Sequence, residues 1–106
     1  EFFHRGRLAL VEVPVDLEAG ADAGETAREI LRGVESVEVV LLLRSLPGGR
    51  TKLSARGGDD FDVFEFARRF GGGGHRRAAG AKLELPLEQA RAALLDAAAE
   101  WFEEVR

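Results

Sequence analysis

Val39-Val40-Leu41-Leu42-Leu43 is the longest uninterrupted apolar run in the chain, and it constrains the fold more than any other segment. A short run without polar alternation, rich in branched side chains, reads as a largely buried strand, here from Val37 to Arg44. Pro47-Gly48-Gly49 is a turn signal, and Thr51-Lys52-Leu53-Ser54-Ala55-Arg56 alternates as the second arm of a hairpin. The run falls far short of the ~20 residues that cross a bilayer, and the N-terminus has no apolar signal core. A water-soluble protein is the expectation.

Around this hairpin the pattern alternates between strand and helix. Arg7 to Val13 reads as a first strand stopped by Pro14, which cannot donate to a ladder. Gly20 to Gly24 is loop-like, and Glu25 to Arg32 fits a helix with Ala27, Ile30 and Leu31 on one face, ending near Gly33. Asp59, Asp60 and Asp62 offer caps for a short helix carrying Val63, Phe66, Ala67 and Phe70, which ends in Gly71. Ala81 to Leu85 is a further strand, and Pro86 opens a long last helix. Its stripe of Leu87, Ala90, Leu94, Ala97, Ala98, Trp101 and Val105 assigns Trp101 and Phe102 to the core. The 106 residues therefore predict one domain over 1–106. Its class is α/β, with a mixed sheet of four to five strands flanked by helices and a glycine-rich loop before the last strand.

The chain has no cysteine, which removes disulfides, thiolate catalysis and cysteine metal sites, and fits a reducing cytoplasm. Net charge is −4 but uneven: Arg44 to Lys82 holds nine Lys/Arg against four acids, or +5, and the remainder carries −9. A positive site on an acidic body suits a small phosphorylated ligand better than a long duplex, which would meet repulsion beyond the site.

Nine of the thirteen glycines lie between Gly48 and Gly80, four of them consecutive at Gly71 to Gly74. A helix stop needs one glycine, and the others cost conformational entropy, so close approach to the backbone is the expected reason for the run. Amides of Gly72, Gly73 and Gly74 converging on an anion, with His75-Arg76-Arg77-Ala78-Ala79 opening a short helix behind them, would make a phosphate cradle. Arg76 or Arg77 adds a bidentate clamp. The spacing matches neither a P-loop nor a dinucleotide fingerprint. Asp59, Asp60 and Asp62 are read as capping residues rather than metal ligands, Ser54 has no neighbouring base, and His4 lies in a poorly structured end without a role.

Gly-Gly-Gly-His-Arg-Arg-Ala-Ala-Gly at 72–80, preceded by the Phe61–Phe70 helix and by Ser54-Ala55-Arg56, resembles the C-terminal DHH-associated domain of the DHH phosphoesterases. Within that superfamily it is most similar to the NrnA-type branch, which combines oligoribonuclease and 3′-phosphoadenosine 5′-phosphate phosphatase activity. The resemblance implies that Gly72, Gly73, Gly74, His75 and Arg76 hold substrate phosphate and that Arg56 contacts substrate. Gly57 stands where the family has a serine after that arginine. It further implies an N-terminal DHH domain in the same polypeptide, carrying Mn2+ on aspartates and histidines, and a short single-stranded nucleic acid or nucleotide as partner. No cofactor is expected in the chain itself, and no membrane partner. A tRNA-type binding module without hydrolytic role and a cyclic dinucleotide phosphodiesterase are the alternatives that the same domain type leaves open.

Overall fold

A computed structural model describes residues 1–13 and 20–104, with backbone only for 20–24 and 104. Strands β1 (Phe2–Phe3), β2 (Leu8–Glu12), β3 (Val39–Leu46), β4 (Arg50–Gly57), β5 (Gly73–His75) and β6 (Ala78–Leu83) form one sheet in the order β1-β2-β3-β4-β6-β5. Helix α1 (Gly20–Gly33) lies between β2 and β3 in the chain, α2 (Val63–Arg68) between β4 and β5, and α3 (Leu87–Glu104) after β6. β2 pairs parallel with β3 and every other pair is antiparallel. The sheet is therefore mixed, as expected, with six strands in place of four to five. The additions are β1, only two residues long, and β5, made from the glycine run itself.

The central apolar run explains the layering. Because side chains alternate across a strand, Val39, Leu41 and Leu43 join Leu8, Leu10, Leu53, Phe61, Phe66, Leu94 and Phe102 in the main core beneath α2 and α3. Val40 and Leu42 face the other way and pack with Ala9, Ala27 and Val37, against Ile30 and Leu31 of α1. β3 is thus covered on both faces. On the face of Val40 and Leu42, β4 and β6 carry Lys52, Ser54, Arg56, Ala78, Gly80 and Lys82 in place of large apolar side chains; α1 reaches β4, and a groove remains over β4, β6 and β5.

Local chemistry fixes the ends of the elements. Asp62 caps α2, its carboxylate accepting from the amides of Phe64 at 3.0 Å and Glu65 at 3.2 Å. The buried Thr51 hydroxyl donates to the Leu85 carbonyl at 2.8 Å, tying the central hairpin to the segment that enters α3. Arg7 pairs with Glu38 at 2.6 Å and lies 4.4 Å from the centre of the Phe102 ring; the Glu38 hydrogen bond raises its pKa against the cost of burial.

Three expectations are corrected. Gly20 to Gly24 is helical rather than loop-like. Docking of Ala27, Ile30 and Leu31 on the sheet nucleates the helix, so extending it backwards costs only the propensity of its glycines, ~1 kcal/mol each. His4 sits in the tight β1–β2 turn with φ of 54° and its ring 4.7 Å from that of Phe102, so it packs rather than trails. The last strand begins at Ala78 rather than Ala81 and ends at Leu83. Pro14 and Val105 lie outside the described residues. No helix among those described is long and apolar enough to cross a membrane.

Candidate functional site

The uncovered part of the sheet carries a shallow groove of about 470 Å³, floored by β4, β6 and β5. Register places its residues in rows. Arg56 is opposite Ala78, which is opposite His75. Ser54 is opposite Gly80, which is opposite Gly73. Lys52 is opposite Lys82, and on the other side of β4 it is opposite Arg44. In an antiparallel pair, opposite residues share a face, so cations ring a floor of Ser54, Ala78, Gly80 and Gly73.

Residues 75–79 do not begin a helix. They form a β-hairpin in which Arg76 and Arg77 are the connection between β5 and β6. The Arg76 carbonyl accepts from the Val63 amide at 3.0 Å and the Arg77 carbonyl from the Gly57 amide at 3.0 Å, so this connection is fastened to the start of α2 and the end of β4. Tertiary pairing with β4 overrides the helix propensity of Ala78 and Ala79. The expected helix N-terminus is replaced by an edge strand: β5 ends the sheet and leaves one row of backbone N–H and C=O groups without a sheet partner.

The four glycines separate by physical cause. Gly71 follows α2 with φ of 78°, a conformation that costs other residues strain. A Cβ at Gly72 would overlap the Gly80 carbonyl oxygen and lie 2.6 Å from the Ala81 Cβ. At Gly74, where φ is 140°, it would lie 2.6 Å from both the Ala78 carbonyl oxygen and the Ala79 Cα. What approaches these backbones closely is β6 itself rather than a ligand. Of these four, only Gly73 has neither a positive φ nor, among the described residues, a neighbour within 4 Å of the missing Cβ, and it faces the groove.

Of the residues singled out from sequence, Arg56 and Gly73 line the groove, and His75 stands at its margin, across Ala78 in the Arg56 row. Gly74 contributes backbone to the floor, and Gly72 lies under β6 away from it. Arg76 is exposed and its guanidinium reaches the Asp59 carbonyl at 3.4 Å, a weak tie. Arg77 is engaged by the Asp59 carboxylate. Asp59 is therefore an ion-pair partner, and Asp62 a cap. Among the described residues, no carboxylate lies within ion-pair distance of Arg44, Lys52, Arg56, His75 or Lys82. Lys52 and Ser54 join the site through the alternation Lys52-Ser54-Arg56, a period of two visible in the sequence; Lys82 joins only through its pairing with Lys52. No group of three or more His, Asp or Glu side chains able to hold a metal ion forms among the described residues.

Fold and site define the class as a mixed α/β domain with one covered sheet face and one half-open cationic face. The chain belongs to the DHHA1 domain family, whose model matches residues 8–104; this is the C-terminal domain type of the DHH superfamily. No curated protein matches it. Its fold is similar to that of an exopolyphosphatase-related protein from Bacteroides fragilis, with a TM-score of 0.75 at 24% identity, covering 90% of this chain and 29% of that one. An uncharacterized protein from Helicobacter pylori G27 gives a TM-score of 0.59 at 22% identity, covering 78% of this chain and 22% of that one. The chain thus spans less than a third of either.

Proposed function

We propose that this chain is the substrate-binding domain of a cytoplasmic DHH-type phosphoesterase that acts on short oligoribonucleotides or 3′-phosphoadenosine 5′-phosphate. The observation that carries this reading is that Arg56 and the open backbone of Gly73 line one small-residue groove bordered by cations, with His75 in the Arg56 row at its margin. The Arg56 fork takes a phosphate bidentately and His75 donates a further hydrogen bond. Amides of the β5 edge lie beside them, and the absent side chain at Gly73 leaves room for the phosphate to approach. Ala78 and Gly80 leave the floor flat for a sugar or base. Arg76 joins as a flanking charge once it leaves the Asp59 carbonyl.

Hydrolysis is assigned to a separate DHH domain of the same polypeptide carrying manganese, since the residues described here do not make a metal site. The purified chain is accordingly expected to release no product from short RNA or from 3′-phosphoadenosine 5′-phosphate, with or without added manganese. Turnover proportional to its concentration and abolished by chelation would overturn the assignment.

Binding tests the site directly. In a calorimetric titration with a 5′-phosphorylated dinucleotide, Arg56→Ala and His75→Ala are each expected to weaken affinity about 10- to 100-fold, because a charge-assisted hydrogen bond contributes ~1.5–3 kcal/mol. Arg69→Ala is the control: its guanidinium pairs with Glu100 of α3 at 3.3 Å, remote from the groove. Equal losses from all three would replace the site by diffuse attraction and favour the nucleic-acid-binding module.

A further inference from the structure

The other end of the groove carries a feature that the phosphate end does not account for. Arg44, Lys52 and Lys82 stand directly opposite one another across β3, β4 and β6. Both register pairs are cation against cation, with Cβ atoms about 4.5–5.5 Å apart in such pairs, and like charges placed so destabilise a sheet. None has a carboxylate partner among the described residues, although the chain as a whole has more acids than bases. Solubility does not require this arrangement, since a mixed row would keep the open face wet without repulsion. Lys52 and Lys82 are exposed and border the groove.

We infer that Arg44, Lys52 and Lys82 form a second anion site, and that the face holds a single-stranded oligonucleotide with phosphates at both ends of the groove. This rests on the phosphate-binding reading of the Arg56–His75 end and extends it. From Lys52 to Arg56 the strand advances about 13 Å at ~3.3 Å per residue. That distance is spanned by about four nucleotides at ~3.4 Å of rise each when stacked, and by fewer when extended. A mononucleotide or dinucleotide reaches one end only. Between the two ends Ser54 and Gly80 form a floor without bulky side chains, along which sugars and bases lie. The anion neutralises a repulsion built into the empty sheet, so binding and stability are coupled at this row.

Fluorescence anisotropy with labelled single-stranded RNA of two and six nucleotides tests the inference on this chain and on its Lys52→Gln/Lys82→Gln variant. The six-nucleotide strand is expected to bind roughly tenfold more tightly than the dinucleotide to the unmodified chain. In the variant that ratio falls to about one because the six-nucleotide strand loses far more affinity than the dinucleotide, and the salt dependence of the longer strand loses ~0.7 in log–log slope for each phosphate contact removed. A ratio that survives the double substitution overturns the second site, and so does an equal loss for both ligands or a six-nucleotide strand no tighter than two. Inorganic polyphosphate displacing the RNA equally well at the same phosphate concentration overturns the choice of oligonucleotide. His75→Ala separates the two readings: an undiminished dinucleotide affinity in that variant removes the phosphate end and leaves the length gain standing or falling by itself. A measurement without ligand completes the test. At low ionic strength the double variant is expected to melt about 2–6 °C above the unmodified chain as the repulsion is relieved, with the difference vanishing in high salt. A lower melting temperature in low salt overturns the proposed strain.

Discussion

Gly72→Ala is expected to lower stability by roughly 3–5 kcal/mol, whereas Gly73→Val leaves the fold intact and abolishes binding of the phosphate ligand. The two glycines are neighbours and chemically identical, so the contrast comes only from what surrounds them. An added Cβ at Gly72 overlaps a backbone carbonyl of β6 and presses on the Ala81 side chain. Neither is the far end of a flexible group, so β5 must leave the sheet, taking with it the fastened Arg76–Arg77 connection. At Gly73 nothing among the described residues lies within 4 Å and φ is not positive. Valine there is a β-former in a strand and relieves the entropic cost of glycine, ~0.5–1 kcal/mol. Its methyl groups instead occupy the space in front of the edge amides. Equilibrium urea unfolding of both variants, followed by dinucleotide titration of Gly73→Val, checks the pair. Similar unfolding midpoints would show that β5 is not seated against β6, and normal binding by Gly73→Val would move the site elsewhere.

Phe61→Ala is expected to cost about 3–5 kcal/mol, a large share of the ~5–15 kcal/mol by which domains of this kind are stable. Phe61 is fully buried, with its ring centre 4.6 Å from Trp101, 5.6 Å from Phe66 and 5.6 Å from Phe102. It joins α2 to α3 under the sheet, so its loss leaves a cavity among rings that cannot close without moving either helix. Trp101→Phe sets the scale from the other side. Among the described residues the buried Trp101 Nε1 has no hydrogen-bond partner, and an unpaired buried N–H costs ~1–3 kcal/mol. Losing it offsets much of the lost ring area, and the unfolding midpoint is expected to change little. Thermal and urea denaturation measure both variants; a Phe61→Ala midpoint close to that of the unmodified chain would contradict the packing described.

The amino-acid sequence by itself determined the elements whose cause is local. The unbroken run at 39–43 specified a strand buried on both faces. The Pro47-Gly48-Gly49 turn set the hairpin, Asp62 the start of α2, and the stripe through Ala90, Leu94 and Ala98 the buried side of α3. Period and capping are properties of neighbouring residues, and neighbours are what a sequence displays. The motif at 72–80 likewise carried enough specificity to indicate the family.

Only the tertiary structure decided what the glycines are for. For Gly72 and Gly74 the cause is the approach of β6, which follows in the chain but whose close packing is fixed by its pairing with β4. The same pairing converted residues 75–79 from the expected helix into a hairpin, since hydrogen bonding to a formed sheet outweighs the modest helix preference of two alanines. It also aligned Lys52 with Lys82, residues thirty positions apart, and set Arg56 in one row with His75. Which side chains share a face depends on register, and register is settled by burying Leu53, Ala55, Ala81 and Leu83 together on the opposite side.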